Sequence, residues 1–104
     1  MTSQLASGDL ISDRYAAALY DLAAENQVVD FVLENLKNIK SVINESKELQ
    51  LVVKSPLIIS NDKLEIILKL MSEQNFNQLS ITFLKVISKN KRFSSLPSII
   101  LQFI

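Results

Sequence analysis

"VVDFVLENLKNIKSVINE", residues 28–45, decides the fold. Val28, Val32, Leu36, Ile39 and Ile43 step by three or four along it, the spacing that lines one face of an α-helix. Asp30, Glu34, Lys37, Ser41 and Asn44 fall on the other side, an ordinary wet face. No breaker interrupts the run. The whole chain of 104 residues holds one glycine, Gly8, and two prolines, Pro56 and Pro97, while 48% of it is hydrophobic. So few breakers among so many apolar residues predict an all-α fold, a single domain built as a six-helix bundle with tight connections.

Upstream, "SDRYAAALYDLAAENQ" (residues 12–27) reads as the first helix, from about Ser12 to Glu25. Its apolar surface is unusually wide. Ile11, Tyr15, Ala18, Leu19 and Leu22 form one stripe, and Ala16, Tyr20 and Ala23 form a second beside it. Together they cover about 200°, broken only by Ser12, where a helix packed on one core needs about 100°. Two explanations compete. Either neighbours within the bundle contact this helix on two sides, or one stripe is kept for a partner. Residues 1–11 carry neither a basic region nor a long apolar run, so they are expected to form a flexible tail rather than a secretory signal.

Downstream, Ser46 is the expected N-cap of a short helix over Lys47–Val53, and Pro56 forces a turn at Ser55. Ser60 is the expected N-cap of a fourth helix reaching about Glu73, with Asp62 in its first turn and Leu64, Ile67, Leu68 and Met71 facing inward. The fifth helix runs from about Asn77 to Lys89. Leu79, Phe83, Val86 and Ile87 form its apolar strip, widened by Ile81 and Leu84. Asn90 is expected in the left-handed C-cap geometry, with Lys89, Lys91 and Arg92 answering the negative helix end. The sixth helix starts near Ser95 with Pro97 in its first turn and buries Leu96, Ile100 and Phe103.

The residues that are missing constrain the chemistry. Without cysteine or histidine there is no thiolate nucleophile, no disulfide, no imidazole base and no common transition-metal ligand set. A single glycine rules out a glycine-rich phosphate loop. Neither a cofactor nor a metal is expected. Eleven basic and eleven acidic residues balance, so the net charge favours neither nucleic acid nor an anionic membrane. No window approaches the roughly 20 apolar residues that span a bilayer, so no direct membrane insertion is expected. Glu34, Glu45, Glu48 and Glu65 read as solvated faces, and Tyr15 and Tyr20 as amphipathic rim residues.

Three stretches carry a family likeness: "RYAAALYDLAAEN" (Arg14–Asn26), "SPLIISNDK" (Ser55–Lys63) and "FLKVISKNKRFSSLPSIILQF" (Phe83–Phe103). In order, they resemble the opening helix, the mid-domain Pro-x-Ile turn and the Asn-Gly-Arg-Leu…Leu-Pro…Phe pattern of one family. It is the delta subunit of bacterial F-type ATP synthase, the mitochondrial counterpart being the oligomycin-sensitivity-conferring protein. The resemblance covers residues 12–104 as the family's N-terminal domain and departs at Lys91, where the family usually has glycine. Asn90 is expected to take the strained position in its place. The chain stops on the apolar "SIILQFI", as though cut within or just after a helix, and no residues correspond to the family's C-terminal domain.

The resemblance implies a non-catalytic part of a stator, bound at the top of the catalytic head of a proton-translocating ATP synthase. A groove between the first and fifth helices would hold the N-terminal amphipathic helix of an alpha subunit, helping the stator resist rotor torque during proton-driven ATP synthesis. On that basis Tyr15, Ala18, Leu22, Leu79, Phe83 and Val86 are the expected partner-binding residues, with no catalytic, cofactor or metal site. Contact with the peripheral-stalk b subunit is expected only through the C-terminal domain. The complex would be peripheral to the cytoplasmic face of a bacterial inner membrane, or to the matrix face of an organelle.

Two other classes share the helical pattern. A death-domain-like adaptor normally carries opposed charged patches. A helix-turn-helix nucleic-acid binder needs a basic recognition helix, and the fifth helix contains only Lys85 and Lys89 within it.

Overall fold

The computed structural model describes the backbone of residues 2–72 and 74–104, and the side chains within those ranges from residue 10 onward. Six α-helices follow one another: α1 (Thr2–Glu25), α2 (Val29–Glu45), α3 (Lys47–Lys54), α4 (Ser60–Leu70), α5 (Gln78–Lys89) and α6 (Leu96–Phe103). A single 3-10 turn, Phe93–Ser95, leads into α6. Every regular element among the described residues is helical, as the periodicity predicts.

Short polar residues punctuate the chain. Ser46 serves two helices. Its N–H donates to the Ile43 carbonyl at 3.3 Å, closing α2, while its Oγ accepts from the Leu49 N–H at 3.1 Å, opening α3. Ser55 is extended (φ −67°, ψ 128°) before Pro56, which ends α3. At α5 the Asn77 Oδ1 accepts from the Leu79 N–H at 2.8 Å, satisfying one of the helix's free first-turn donors.

Several boundaries differ from those read in the sequence. The helical backbone of α1 begins at Thr2 rather than Ser12, because nothing in that stretch but Gly8 opposes a helix. The N-cap of α4 is Ile59, not Ser60. Ile59 is extended, its carbonyl accepts from Asp62 and Lys63, and no side chain caps the helix. That helix stops at Leu70, short of Glu73, and Met71 is its C-cap.

The C-cap of α5 also needs correcting. Asn90 has ordinary geometry (φ −89°, ψ 3°), and Lys91 is the residue with positive φ, at 57°. The hydrogen bonds explain the choice. Arg92 N–H donates to Ile87 at 2.9 Å and Lys91 N–H to Ser88 at 3.1 Å, the paired bonds that set the left-handed residue one position after the C-cap. The end of α1 repeats the device. Val28 donates to Ala23 at 2.8 Å and Gln27 to Ala24 at 3.1 Å, with Gln27 at φ 59°. Both turns use a residue with a Cβ where glycine is cheapest.

Within the bundle, α1 packs chiefly on α6 and α4 on α5, while α2 lies inside, touching α1, α3, α5 and α6. Val32, Leu36 and Ile39 of α2 meet Leu84 and Ile87 of α5 and Leu96, Ile99 and Ile100 of α6 in one core. Each such side chain stabilises the fold by about 1.5–3 kcal/mol on burial. Ile99 lies outside the expected stripe of α6. It is buried because Phe93 of the 3-10 turn and the body of the bundle enclose that helix on more than one side.

Candidate functional site

The wide apolar surface of α1 is divided three ways. Ser12, Ala16, Leu19 and Ala23 form the buried stripe, so Leu19 belongs with the expected second stripe and Ser12 is part of the core face. On one flank Ile11 and Tyr15 are half-buried and Ala18 and Leu22 exposed. On the other flank the Tyr20 ring meets Phe103 of α6 edge-on, with centroids 5.8 Å apart. The bundle therefore buries the centre of the helix, while Ala18 and Leu22 on one flank and Tyr20 on the other stay exposed.

Tyr15 reaches the C-terminal end of α5. Leu79, Phe83, Val86 and Asn90 share one side of α5 and its C-cap, at the i, i+4, i+7, i+11 spacing. The Asn90 Nδ2 donates to the Tyr15 hydroxyl at 2.8 Å, fixing this side of α5 against α1. Of the six residues expected to bind a partner, Leu22 (47%) and Val86 (41%) are the most open large ones, and Ala18 is exposed. Tyr15 and Leu79 are half-buried. Phe83 retains only 7% exposure and supports the wall from the core side.

Two polar residues that the periodicity reading passes over hold this frame. Asn35 is buried on α2. Its Oδ1 accepts from the Asn77 N–H and the Ser80 hydroxyl, both at 2.9 Å, and its Nδ2 donates to the Asn75 carbonyl at 3.1 Å. One amide thus pins the start of α5 to α2, with every buried side-chain nitrogen and oxygen among the described residues partnered. Its signal was present in the sequence: a polar residue three positions from Val32, on the core-facing spacing.

Lys63 is the second. It is 7% exposed and its Nζ donates to the Val53 carbonyl at 2.9 Å, tying the first turn of α4 to the last turn of α3. A lysine in a first turn opposes the helix dipole, which was the clue that it serves another helix's C-terminus. Burial pushes its pKa below the ordinary lysine value.

Among the described residues, no group of three or more Asp or Glu side chains converges on a metal position, and no helix is long and apolar enough to cross a membrane. The chemistry available at the α1–α5 seam is apolar packing with a polar clasp at one end. The fold defines an all-α helical-bundle domain, with Ala18 and Leu22 of α1 and Val86 of α5 exposed.

Comparison with known proteins narrows the class. The family model "ATP synthase delta (OSCP) subunit" matches residues 11–104, so the chain belongs to the ATP synthase delta (OSCP) family. It is 36% identical over 102 residues to "ATP synthase subunit delta" of Rhizobium leguminosarum bv. trifolii (strain WSM2304), covering 98% of this chain and 53% of that protein. The protein of the same name in Methylobacterium nodulans is 33% identical over 93 residues, covering 89% of this chain and 49% of its own length. The chain spans about half the length of the curated relatives it matches.

Proposed function

We propose that this chain is the head-gripping part of a non-catalytic stator subunit in a proton-driven ATP synthase. In this reading the α1–α5 seam receives the N-terminal amphipathic helix of an alpha subunit, and the grip helps the stator resist rotor torque. The observation that supports it is the exposed apolar surface on two joined helices: Ala18 and Leu22 on α1, and Val86 beside half-buried Leu79 on α5, the helices being tied by the Asn90–Tyr15 bond. Three or four guest side chains buried there at about 1.5–3 kcal/mol each offset the costs of association. Ala18 lets a guest backbone come close. The contact with a peripheral-stalk b subunit belongs, in this reading, to the half of the relatives that this chain does not match. Family membership supports a place in a complex peripheral to the cytoplasmic face of a bacterial inner membrane, or to the matrix face in an organelle.

The test is calorimetry with a peptide of the alpha N-terminus. Binding is expected to the native chain and to be lost on Ala18→Asp, which buries an unpaired carboxylate in the seam. Unchanged affinity in a folded Ala18→Asp variant removes Ala18 from the site. A pull-down with purified stalk subunit is expected to be negative beside a positive one with the alpha peptide.

A further inference from the structure

Beyond the seam, the α3–α4 connection and the turn after α5 enclose a cleft of about 450 Å³. Lys54, Lys63 and Lys91 line it together with Ser55, Ser60 and Ser94, and no Asp or Glu among the described residues does. Asp62, next to Lys63 in sequence, is exposed and is not part of the lining. A chain of zero net charge therefore gathers three positive charges around one hollow. The same cleft is walled by Leu57 and Ile59, which are 91% and 69% exposed, among the most open large apolar side chains of the molecule.

Lys91 connects the cleft to the end of α5: it occupies the positive-φ position after that helix and lines the cleft. The turn is also shared. Asn90 bonds Tyr15 on the seam side, and the next residue serves the cleft.

We propose that this cleft is a second docking surface, which takes an acidic, partly apolar segment of a partner protein. The segment's carboxylates would lie against Lys54, Lys63 and Lys91, and its apolar side chains over Leu57 and Ile59. Charge complementarity chooses the occupant: a bare anion leaves the apolar wall wet, and an uncharged apolar segment leaves the open cations of Lys54 and Lys91 unanswered. Lys63 is the inner cation, held in place by its bond to Val53, while Lys54 and Lys91 are the open ones. The proposal stands apart from the seam reading and does not depend on it.

The experiment is an NMR titration of the ¹⁵N-labelled chain with the peptide acetyl-ELDLE-amide. Saturable shifts are expected at the amides of Leu57, Ile59, Lys63 and Lys91, weakening as salt is raised. Lys91→Gly, a change that relieves the backbone, should weaken binding about threefold, as loss of one rim charge does. The double reversal Lys54→Glu with Lys91→Glu should weaken it at least about tenfold. The charge-inverted peptide acetyl-KLKLK-amide should move none of these amides, and Ala18→Asp should leave the titration unchanged. Three results overturn the proposal: affinity indifferent to the lysine changes, equal shifts from inorganic phosphate alone, or loss of the response in a folded Ala18→Asp variant. The last would place the peptide in the α1–α5 seam.

Discussion

Asn90 and Tyr15, 75 residues apart in sequence, are joined by a 2.8 Å hydrogen bond from the side-chain amide to the phenol. The bond closes the C-terminal end of α5 onto α1 at a solvent-exposed position. An exposed hydrogen bond contributes toward the low end of the usual range, about 0.5 kcal/mol. Tyr15→Phe and Asn90→Ala should each cost about that much, and the double variant less than their sum. Urea denaturation of the four chains in the cycle measures the shortfall. Strict additivity would show that the clasp has no energetic content.

Lys91→Gly should stabilise the chain by about 0.5–1 kcal/mol, since a left-handed conformation costs a residue with a Cβ about 1–2 kcal/mol and glycine's freedom in the unfolded chain returns part of it. Gln27→Gly should act in the same direction at the end of α1. Lys91→Val should destabilise, because a β-branched residue tolerates positive φ worst. Thermal melts separate the three, a gain of 1 kcal/mol raising Tm by roughly 4–8 °C in a domain of this size.

Asn35→Ala should be among the more damaging polar changes, at about 2–3 kcal/mol. It leaves the Asn77 N–H and the Ser80 hydroxyl without their acceptor in a buried place. Hydrogen exchange should show the first turn of α5 opening faster while the protection of α6 falls only with global stability. Asn35→Asp would keep an acceptor but bury a charge, and is expected to recover little.

The pH dependence follows from Lys63. Burial holds its folded pKa below 10.5, so between that lowered value and 10.5 the unfolded chain keeps a proton that the native chain has released. Stability from this group therefore rises with pH through that window, and the cost of the buried ammonium is present in full below it. The native chain should gain on a Lys63→Met variant as pH is raised toward 10.5, the ordinary lysine value. A constant difference between the two denaturation curves would mean that Lys63 titrates normally.

Periodicity made the fold legible. The stripes read for α2, α4, α5 and α6 together name most of the core, and Ser46, Asn77 and Pro97 mark where helices begin. The tertiary partners of single polar residues were out of reach. Nothing local says that Asn35 meets Asn77 and Ser80, or that Lys63 reaches Val53, because both pairings depend on how helices cross. The division of α1 was half legible. Its excess apolar surface is visible in the sequence, but which stripe faces inward depends on α6, and Leu19 went to the other side. At α5 the asparagine suggested the left-handed residue, yet the hydrogen-bond pair of the terminal turn assigns that conformation to the next position regardless of side chain.

The pairing of α1 with α6 has a consequence for biosynthesis. The first helix of the bundle finds its main partner in the sixth, so the stripe of Ala16, Leu19 and Ala23 lacks that partner while the intervening residues are made. At about 5–20 residues per second this interval lasts several seconds. The nascent chain can assemble α2 through α5 in that time but cannot seal α1 against Ile99, Ile100 and Phe103. Folding of this bundle is therefore committed late, and a stall in translation before Leu96 leaves an apolar helix open to chaperones.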